Sequence, residues 1–343
     1  MKLGISVGLV IVAMLTIAMI FAPDWDRPPI DVEQTGYRGV AMEHLTNPRR
    51  QTPNEGINRV PPEPYPLEST EGERAGDFYE NVQVLGDTSV DQFNRLMVAI
   101  TEWVAPQDEG CNYCHEPGQP LSSDSLYTKV VSRRMLQMTQ HINANWTQHV
   151  GDTGVTCWTC HRGEPVPANI WFNDPQEEGM QAFVQAQTGQ NRPQEVVGLS
   201  SLPYNFEEQL ATEDPQIRVI PNRPLPTSAG GQSIQQTEST YGLMIHMSES
   251  LGVNCTYCHN SRSLGEWSSS TPMRVNAWHG LQMVQDLNID YLIPLRDTYP
   301  ENRLGPLGDA PKASCATCHF GVNKPLYGAQ MAQDYPSLLS VSQ

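Results

Sequence analysis

The cysteines of this 343-residue chain are the feature that most limits its fold. All eight occur in four copies of the pattern Cys-x-x-Cys-His, and none is left over. A disulfide framework does not require close pairs that are each followed by histidine, and a catalytic thiol needs a spare cysteine. The pattern therefore predicts four attachment sites for haem c and argues against disulfides.

Each motif supplies three of the predicted contacts of one haem. Its two cysteines are expected to form thioethers with the haem vinyl groups, and its histidine is expected to bind the iron from one side. A zinc site or a redox dithiol can use the same spacing, but four copies that consume every cysteine favour haem. The motifs are Cys111, Cys114 and His115; Cys157, Cys160 and His161; Cys255, Cys258 and His259; and Cys315, Cys318 and His319.

The composition indicates a thin protein core and an acidic surface. Only 38% of the residues are hydrophobic, 28 are prolines, and the net charge is −17. Four haems would add apolar material that side chains alone do not provide at this length. Nucleic acid is not an expected partner, because phosphate binding needs clusters of Lys and Arg.

An uncharged segment at residues 3–22 is long enough to span a bilayer as a helix. Lys2 precedes it and Asp24 follows, which favours export of the remaining chain. A cleaved signal peptide is disfavoured by Ile20 at the position where a small residue is needed. A lipoprotein would need a cysteine directly after the segment, but the first is Cys111. The sequence therefore predicts an uncleaved transmembrane anchor.

An internal repeat links the motifs in pairs. Residues 96–102 match residues 243–249, and these segments precede the first and third motifs. Residues 136–143 match residues 281–288, and these precede the second and fourth motifs. The sequence therefore predicts a duplicated two-haem unit whose basic element is a helix followed by a motif.

The repeat also offers candidates for the sixth iron ligand of the first and third haems. Met97 aligns with Met244, so both are candidate ligands on the helices before these motifs. A methionine in this position raises the reduction potential, whereas a histidine lowers it. The alternative role for each methionine is packing in the protein core.

The second and fourth haems are less alike in this respect. Met138 aligns with Met283, which would allow a methionine ligand at both haems. Met135 instead aligns with Gly280, so if Met135 is the ligand, the fourth haem needs a histidine from elsewhere. The spacing of the residues leaves Met135 and Met138 both open.

Two histidines could supply that missing ligand. His149 lies between the predicted second helix and the second motif, and His279 is next to Gly280 on the predicted fourth helix. Their spacing does not distinguish between them.

Several segments together resemble a known family, the tetrahaem cytochrome c subunit of photosynthetic reaction centres in purple and related bacteria. The likeness extends from residue 34 to the fourth motif. Its most specific parts are residues 133–136, residues 145–157 and residues 250–255. Many family members carry a lipid-modified N-terminal cysteine, which this chain lacks, so we expect the anchor helix to replace it.

The resemblance implies a complete set of sixth ligands. Met97, Met135 and Met244 would bind the first, second and third haems, and His149 would bind the fourth. The fourth haem would then be held by two histidines, and a histidine in place of methionine lowers the reduction potential.

The resemblance also implies a function. The chain would be an electron carrier, not an enzyme, on the periplasmic face of the photosynthetic inner membrane. It would pass electrons through four covalently bound haem c groups to photo-oxidised bacteriochlorophyll in the reaction-centre core. The soluble periplasmic donor would be a c-type cytochrome or a high-potential iron-sulfur protein.

Two other classes of protein use several haems of this type. A membrane-anchored tetrahaem quinol dehydrogenase of anaerobic respiration is the main alternative, but quinol oxidation needs low potentials. A multihaem oxidoreductase acting on nitrogen or sulfur compounds would need one haem with an open coordination position.

We thus expect a mainly α-helical multihaem cytochrome c with much irregular structure and one N-terminal transmembrane helix. A mobile tail is predicted after Tyr327. The predicted parts are an anchor at 1–22, an extended segment at 23–90, a first haem pair at 91–165, a Pro/Gly-rich connection at 166–235, a second haem pair at 236–325, and a C-terminal tail at 326–343.

Overall fold

The protein is mainly helical with long irregular connections, as predicted. The structure is a computed structural model, and most of the predicted connection at 166–235 lies outside the residues that it describes. The described ranges are 2–21, 31–62, 65–175, 197–198, 200–203, 205–213, 215, 217–219 and 233–339, and the side chains of 2–6 and 50–53 are not described.

Ten α-helices and one pair of strands are found in the described ranges, and short 3-10 helices connect several of them. In chain order they are α1 (Lys2–Phe21), β1 (Asp31–Gln34), β2 (Glu43–Thr46), α2 (Pro48–Ile57), α3 (Ala75–Phe78), α4 (Val90–Val104), α5 (Tyr127–Asn145), α6 (Thr147–Val150), α7 (Cys157–His161), α8 (Ile234–Leu251), α9 (Pro272–Asp286) and α10 (Cys315–His319).

The N-terminal helix α1 covers most of the predicted anchor and is exposed wherever its side chains are described. Part of the prediction falls on residues 1–6, which lie outside the described side chains. Among the residues that the structure describes, no helix has both the length and the apolar character needed to cross a membrane.

Local sequence explains where α4, which carries Met97, begins and where α8, which carries Met244, ends. Ser89 caps α4, because its side chain accepts a hydrogen bond from the Gln92 amide. Gly252 ends α8 in the left-handed conformation, with φ 64°. A Cβ at Gly252 would lie 2.1 Å from the carbonyl oxygen of Gly321, so this end of α8 also needs glycine for its close approach to α10.

The predicted extended segment contains an ordered antiparallel hairpin. Strands β1 and β2 pair with each other, and the buried Met42 packs under the connecting turn. The Asn254 side chain, which directly precedes the third motif, accepts from the Leu45 amide at 3.0 Å and donates to the Glu43 carbonyl at 2.7 Å. The hairpin therefore lies against the third motif.

Two apolar clusters hold the helices together. The first forms around Leu96 and Trp103 of α4, and the second around Leu243 of α8 and Leu281 of α9. The first cluster therefore contains the helix that precedes the first motif, and the second cluster contains the helix that precedes the third motif.

The C-terminal segment closes the first cluster. Tyr335 and Leu338 are buried, and the side chain of Asn143 on α5 donates to the Leu338 carbonyl at 2.8 Å. The Gln140 side chain donates to the Ser337 carbonyl at 2.9 Å. The structure up to residue 339 thus differs from the predicted mobile tail, because apolar residues spaced along the segment are buried against α4 and α5.

Candidate functional site

The four motifs adopt two local conformations. The first and third form 3-10 turns, at Gly110–Tyr113 and Cys255–Tyr257. The second and fourth form the short helices α7 and α10, each followed by a residue in the left-handed conformation, Arg162 or Phe320. Motifs that occupy the same place in the two halves of the sequence therefore have the same backbone.

All four motif histidines are oriented in the same way. In each, Nδ1 lies within hydrogen-bond distance of a backbone carbonyl a few residues later in the chain. This contact leaves Nε2 as the ring nitrogen that can bind a metal. The Nδ1 to carbonyl oxygen distances are 3.1 Å from His115 to Leu121, 2.9 Å from His161 to Glu164, 2.8 Å from His259 to Leu264 and 2.9 Å from His319 to Val322.

Burial keeps these imidazoles neutral. It lowers the pKa of His115, His161 and His259, and it lowers the pKa of His319 to about 4. A neutral imidazole offers a lone pair at the nitrogen that carries no proton. The histidines are therefore suited to bind a transition metal at neutral pH without first losing a proton.

The second and fourth motifs, called the inner motifs below, are each attached by the same kind of backbone hydrogen bond to the long helix that begins their half of the repeat, α4 or α8. The Gly163 amide, after the second motif, donates to the Trp103 carbonyl on α4 at 2.9 Å. The Gly321 amide, after the fourth motif, donates to the Ser250 carbonyl on α8 at 2.9 Å. Trp103 and Ser250 occupy matching positions in the repeat, so the two halves share this connection as well as the motif backbone.

The second and fourth motifs lie directly against each other. Cys160 and Cys318, which are the second cysteines of these motifs, have Cα atoms 4.5 Å apart and are joined as a disulfide. Next to them, the Arg162 guanidinium lies 4.8 Å from the centre of the Phe320 ring. The disulfide differs from the expectation that no cysteine pairs with another, because the packing of the two halves brings residues 158 positions apart together.

A cavity of about 870 Å3 extends between these two inner motifs. Its size falls within the range of about 300–1,000 Å3 that is usual for cofactor sites. Most of its lining is apolar, from α5, α9 and the C-terminal segment. The predicted ligand residues that face it are Met135, His149, His161 and His319, and the cysteines are Cys157, Cys160, Cys258, Cys315 and Cys318.

The structure brings His149 and His319 together across this cavity. Their ring centres are 6.0 Å apart, and the rings are inclined at 61°. Two imidazoles bound to opposite sides of one metal, with metal–nitrogen distances of about 2 Å, have centres roughly 6 Å apart. Nδ1 of His149 faces the side-chain oxygen of Asn276 at 2.7 Å and its carbonyl at 3.1 Å, which leaves Nε2 for a metal.

Gly280 makes room for the His149 ring. A Cβ built on Gly280 would lie 2.4 Å from Cε1 and 2.9 Å from Nε2 of His149. Gly280 aligns with Met135 in the repeat. The His149 ring therefore fills, beside Gly280, the space that corresponds to the Met135 side chain in the first half. His279, the other candidate, is next to this position but does not face the cavity.

The remaining predicted methionines occupy different surroundings. Met97 on α4 is half-buried against the first apolar cluster, and Met244 on α8 is half-buried against the second. Met138 and Met283, the alternatives to Met135, both pack in or against the second cluster while also touching the cavity wall.

Two residues that contact this site were not predicted to do so. Asn276 orients the His149 ring, and its position one helical turn before Gly280 on α9 is the only sequence signal for it. Arg162 directly follows His161 in the sequence, yet its contacts are with the fourth motif. A long-range contact of this kind has no signature in the local sequence.

The donor set fits haem c. Each motif combines two cysteines with a histidine whose Nε2 is available, and Met135 and His149 line the cavity that the second and fourth motifs share. Together with the mainly helical fold, these features define a c-type cytochrome.

The comparisons with known proteins narrow this class to one family. The family model for the photosynthetic reaction centre cytochrome C subunit matches residues 26–339. The chain is 48% identical to the photosynthetic reaction center cytochrome c subunit of Rubrivivax gelatinosus over 98% of its own length and 91% of that protein. It is 46% identical to the subunit of the same name from Thermochromatium tepidum, over 95% and 79% of the two chains. The chain belongs to this family.

Family membership confirms the predicted function, electron transport in a photosynthetic reaction centre. The comparisons give no support to a quinol dehydrogenase. A more distant relative, a cytochrome c-554 of Chloroflexus aurantiacus, is 24% identical over 65% of this chain and 64% of its own length.

The substitution Gly280→Ala tests whether the cavity needs a glycine at this point. The added methyl group would overlap the His149 ring, so we expect the free energy of unfolding to fall by about 1–3 kcal/mol. Chemical denaturation followed by circular dichroism measures the change.

Gly56 on α2 provides the matched control. It is also helical, but a Cβ there meets no atom within 4 Å. We expect Gly56→Ala to leave stability unchanged or to raise it by about 0.5–1 kcal/mol. Equal destabilisation by both substitutions would show that the His149 ring does not depend on Gly280.

Proposed function

We propose that the chain holds four haems in a row, in the order of the first, second, fourth and third motifs. The contact between the second and fourth motifs carries this proposal. Helix α4 packs against the first motif and against α7, and α8, which leads into the third motif, packs against α10. Each half therefore supplies an outer and an inner motif, and the inner motifs meet.

The repeated contacts support a duplicated two-haem unit. Matching motifs have matching backbones, and both inner motifs use the same glycine amide to bind the long helix of their half. Two halves that had arisen independently would not be expected to share the sequence repeat, the motif conformation and the hydrogen bond.

We propose that two side chains of the chain would hold the iron of each haem. Haem c supplies a one-electron couple between ferric and ferrous iron when it is bound. The pairs are His115 with Met97, His161 with Met135, His259 with Met244, and His319 with His149. The distance between the His149 and His319 rings and the glycine that makes room for His149 support the last pair.

All eight motif cysteines are proposed to form thioethers in the mature protein. A sulfur in a disulfide cannot also bind a haem vinyl group, so the Cys160–Cys318 bond and full haem attachment exclude each other. The Cα atoms of these two residues, 4.5 Å apart, show how closely the inner motifs pack. Membership of a cytochrome c family supports thioethers at these positions.

A redox titration of the purified protein, read by optical and electron paramagnetic resonance spectra, tests the four assignments. We expect four haems per chain by pyridine haemochrome assay, with three His/Met sites at higher potential and one bis-histidine site at lower potential. Gly280→Ala should remove the bis-histidine signal and leave the other three. Two haems per chain, or a high-spin iron in the wild-type protein, would contradict the assignments.

The electron donor is proposed to be a basic soluble protein that docks near the first motif. Residues 101–120 contain no Lys or Arg, and the side chains of Glu102, Asp108, Glu109 and Glu116 are exposed there. The net charge of the whole chain is −17, which would also attract a cationic partner. A high-potential iron-sulfur protein would depend less on this charge.

Reduction kinetics with a basic cytochrome c as donor test this proposal. Because exposed charges are screened by salt, we expect the second-order rate to fall steeply between about 10 mM and 0.5 M ionic strength. Glu109→Gln with Glu116→Gln should weaken this dependence, while Glu33→Gln, an exposed site on the hairpin that lies against the third motif, should not. A rate that is independent of salt would count against electrostatic docking.

Residues 1–22 are proposed to anchor the chain in the photosynthetic membrane, with the haem domain on the periplasmic side. The uncharged stretch at 3–22 and the helical conformation of Lys2–Phe21 support the proposal. Membership of a reaction-centre subunit family supports association with that membrane.

Intact-mass spectrometry of the protein from membranes tests the anchor. We expect a mass that includes residues 1–22 and four haems, and extraction only with detergent. A mature N-terminus near Pro23 would show instead that the segment is a cleaved signal.

A further inference from the structure

Arg162 places a positive charge between the two inner motifs. The Arg162 side chain donates from Nη2 to the Cys318 carbonyl and to the Asn58 side-chain oxygen, each at 3.3 Å. Its guanidinium carbon lies 4.8 Å from the centre of the Phe320 ring. Two of its three side-chain contacts are thus with residues of the fourth motif or directly after it.

No Asp or Glu side chain among the described residues pairs with this charge. Arg162 forms no ion pair among the residues that the structure describes, and its Nε and Nη1 atoms are buried without a hydrogen-bond partner. An arginine keeps its proton at neutral pH. A cation that is partly withdrawn from water has a stronger effect on its surroundings than an exposed one.

The contacts of Arg162 are directed across the boundary between the two halves. Its guanidinium donates to the Cys318 carbonyl and lies over the Phe320 ring, and these two residues flank His319 in the chain. The charge of Arg162 therefore lies beside the histidine of the fourth motif as well as beside its own neighbour, His161.

We propose that Arg162 is a positioning residue that sets the reduction potential of the fourth haem, although it belongs to the second motif. The proposal builds on the assignment of His319 and His149 to that haem. Adding an electron to the iron reduces its positive charge, so an unpaired cation near by favours the reduced state and raises the potential. The charge therefore opposes the decrease in reduction potential that two histidine ligands cause. It brings the potential of the fourth haem closer to the potentials of the neighbouring haems.

The residue at the position of Arg162 in the second half indicates that only one of the two inner motifs supplies a charge to the other. Phe320 occupies the place of Arg162 after the fourth motif and has the same left-handed backbone. It carries no charge, so this matching position gives the second haem no cation from the other half. The two inner motifs have the same backbone conformation. Their haems would nevertheless differ in electrostatic surroundings as well as in the sixth ligand.

Redox titration of three variants of the full-length protein, with all four haems bound, tests the proposal. We expect Arg162→Gln to lower the reduction equilibrium constant of the bis-histidine haem about tenfold, which is 59 mV for a one-electron couple. Arg162→Lys should retain most of the potential, because it keeps the charge. Arg296→Gln, which removes an exposed arginine of the second half, should change no haem by a comparable amount.

Phe320→Leu separates charge from packing, because it removes the ring under the guanidinium and keeps the cation. A shift of the bis-histidine haem by Phe320→Leu equal to that by Arg162→Gln would overturn the proposal in favour of a packing role. So would a shift confined to the second haem, or equal shifts of all four. If the wild-type spectra contain no bis-histidine haem, the ligand assignment fails instead, and pyridine haemochrome assay shows whether each variant retains its haems.

Discussion

The packing of the second motif against the fourth is the interaction on which the rest of the structure depends. It joins residues at matching positions of the repeat, Cys160 to Cys318 and Arg162 to Phe320. Because each inner motif is also hydrogen-bonded to the long helix of its own half, this one contact supports the order of the four motifs that we propose. A large apolar cavity forms between them, which a thin side-chain core could not close by itself.

The same contact makes the two halves unequal. In the first half Met135 faces the cavity, and in the second half the corresponding residue is Gly280. The space beside that glycine is filled by His149, which comes from the first half and is oriented by Asn276 of the second. A methionine and a histidine hold iron at different potentials, so a single missing side chain would produce a graded series of sites.

Other features of the structure could not be predicted, and the reasons are physical. Arg162 is adjacent in sequence to His161 but contacts the fourth motif, because the left-handed backbone after the motif turns its side chain across the boundary. The C-terminal segment was expected to be mobile, yet Tyr335 and Leu338 are buried. Both cases involve partners far away in the chain, and short-range patterns carry no information on such contacts.

The sequence by itself determined the chemistry of the sites. Four Cys-x-x-Cys-His motifs, a repeat that relates them in pairs, and a glycine in place of one methionine are all local patterns, because attachment and proximal binding use residues that are close in the chain. Tertiary structure alone decided which motifs are neighbours, which histidine faces His319, and where the unpaired cation lies. Those relations depend on how two helical halves pack against each other, and packing is a property of surfaces that only the folded chain brings together.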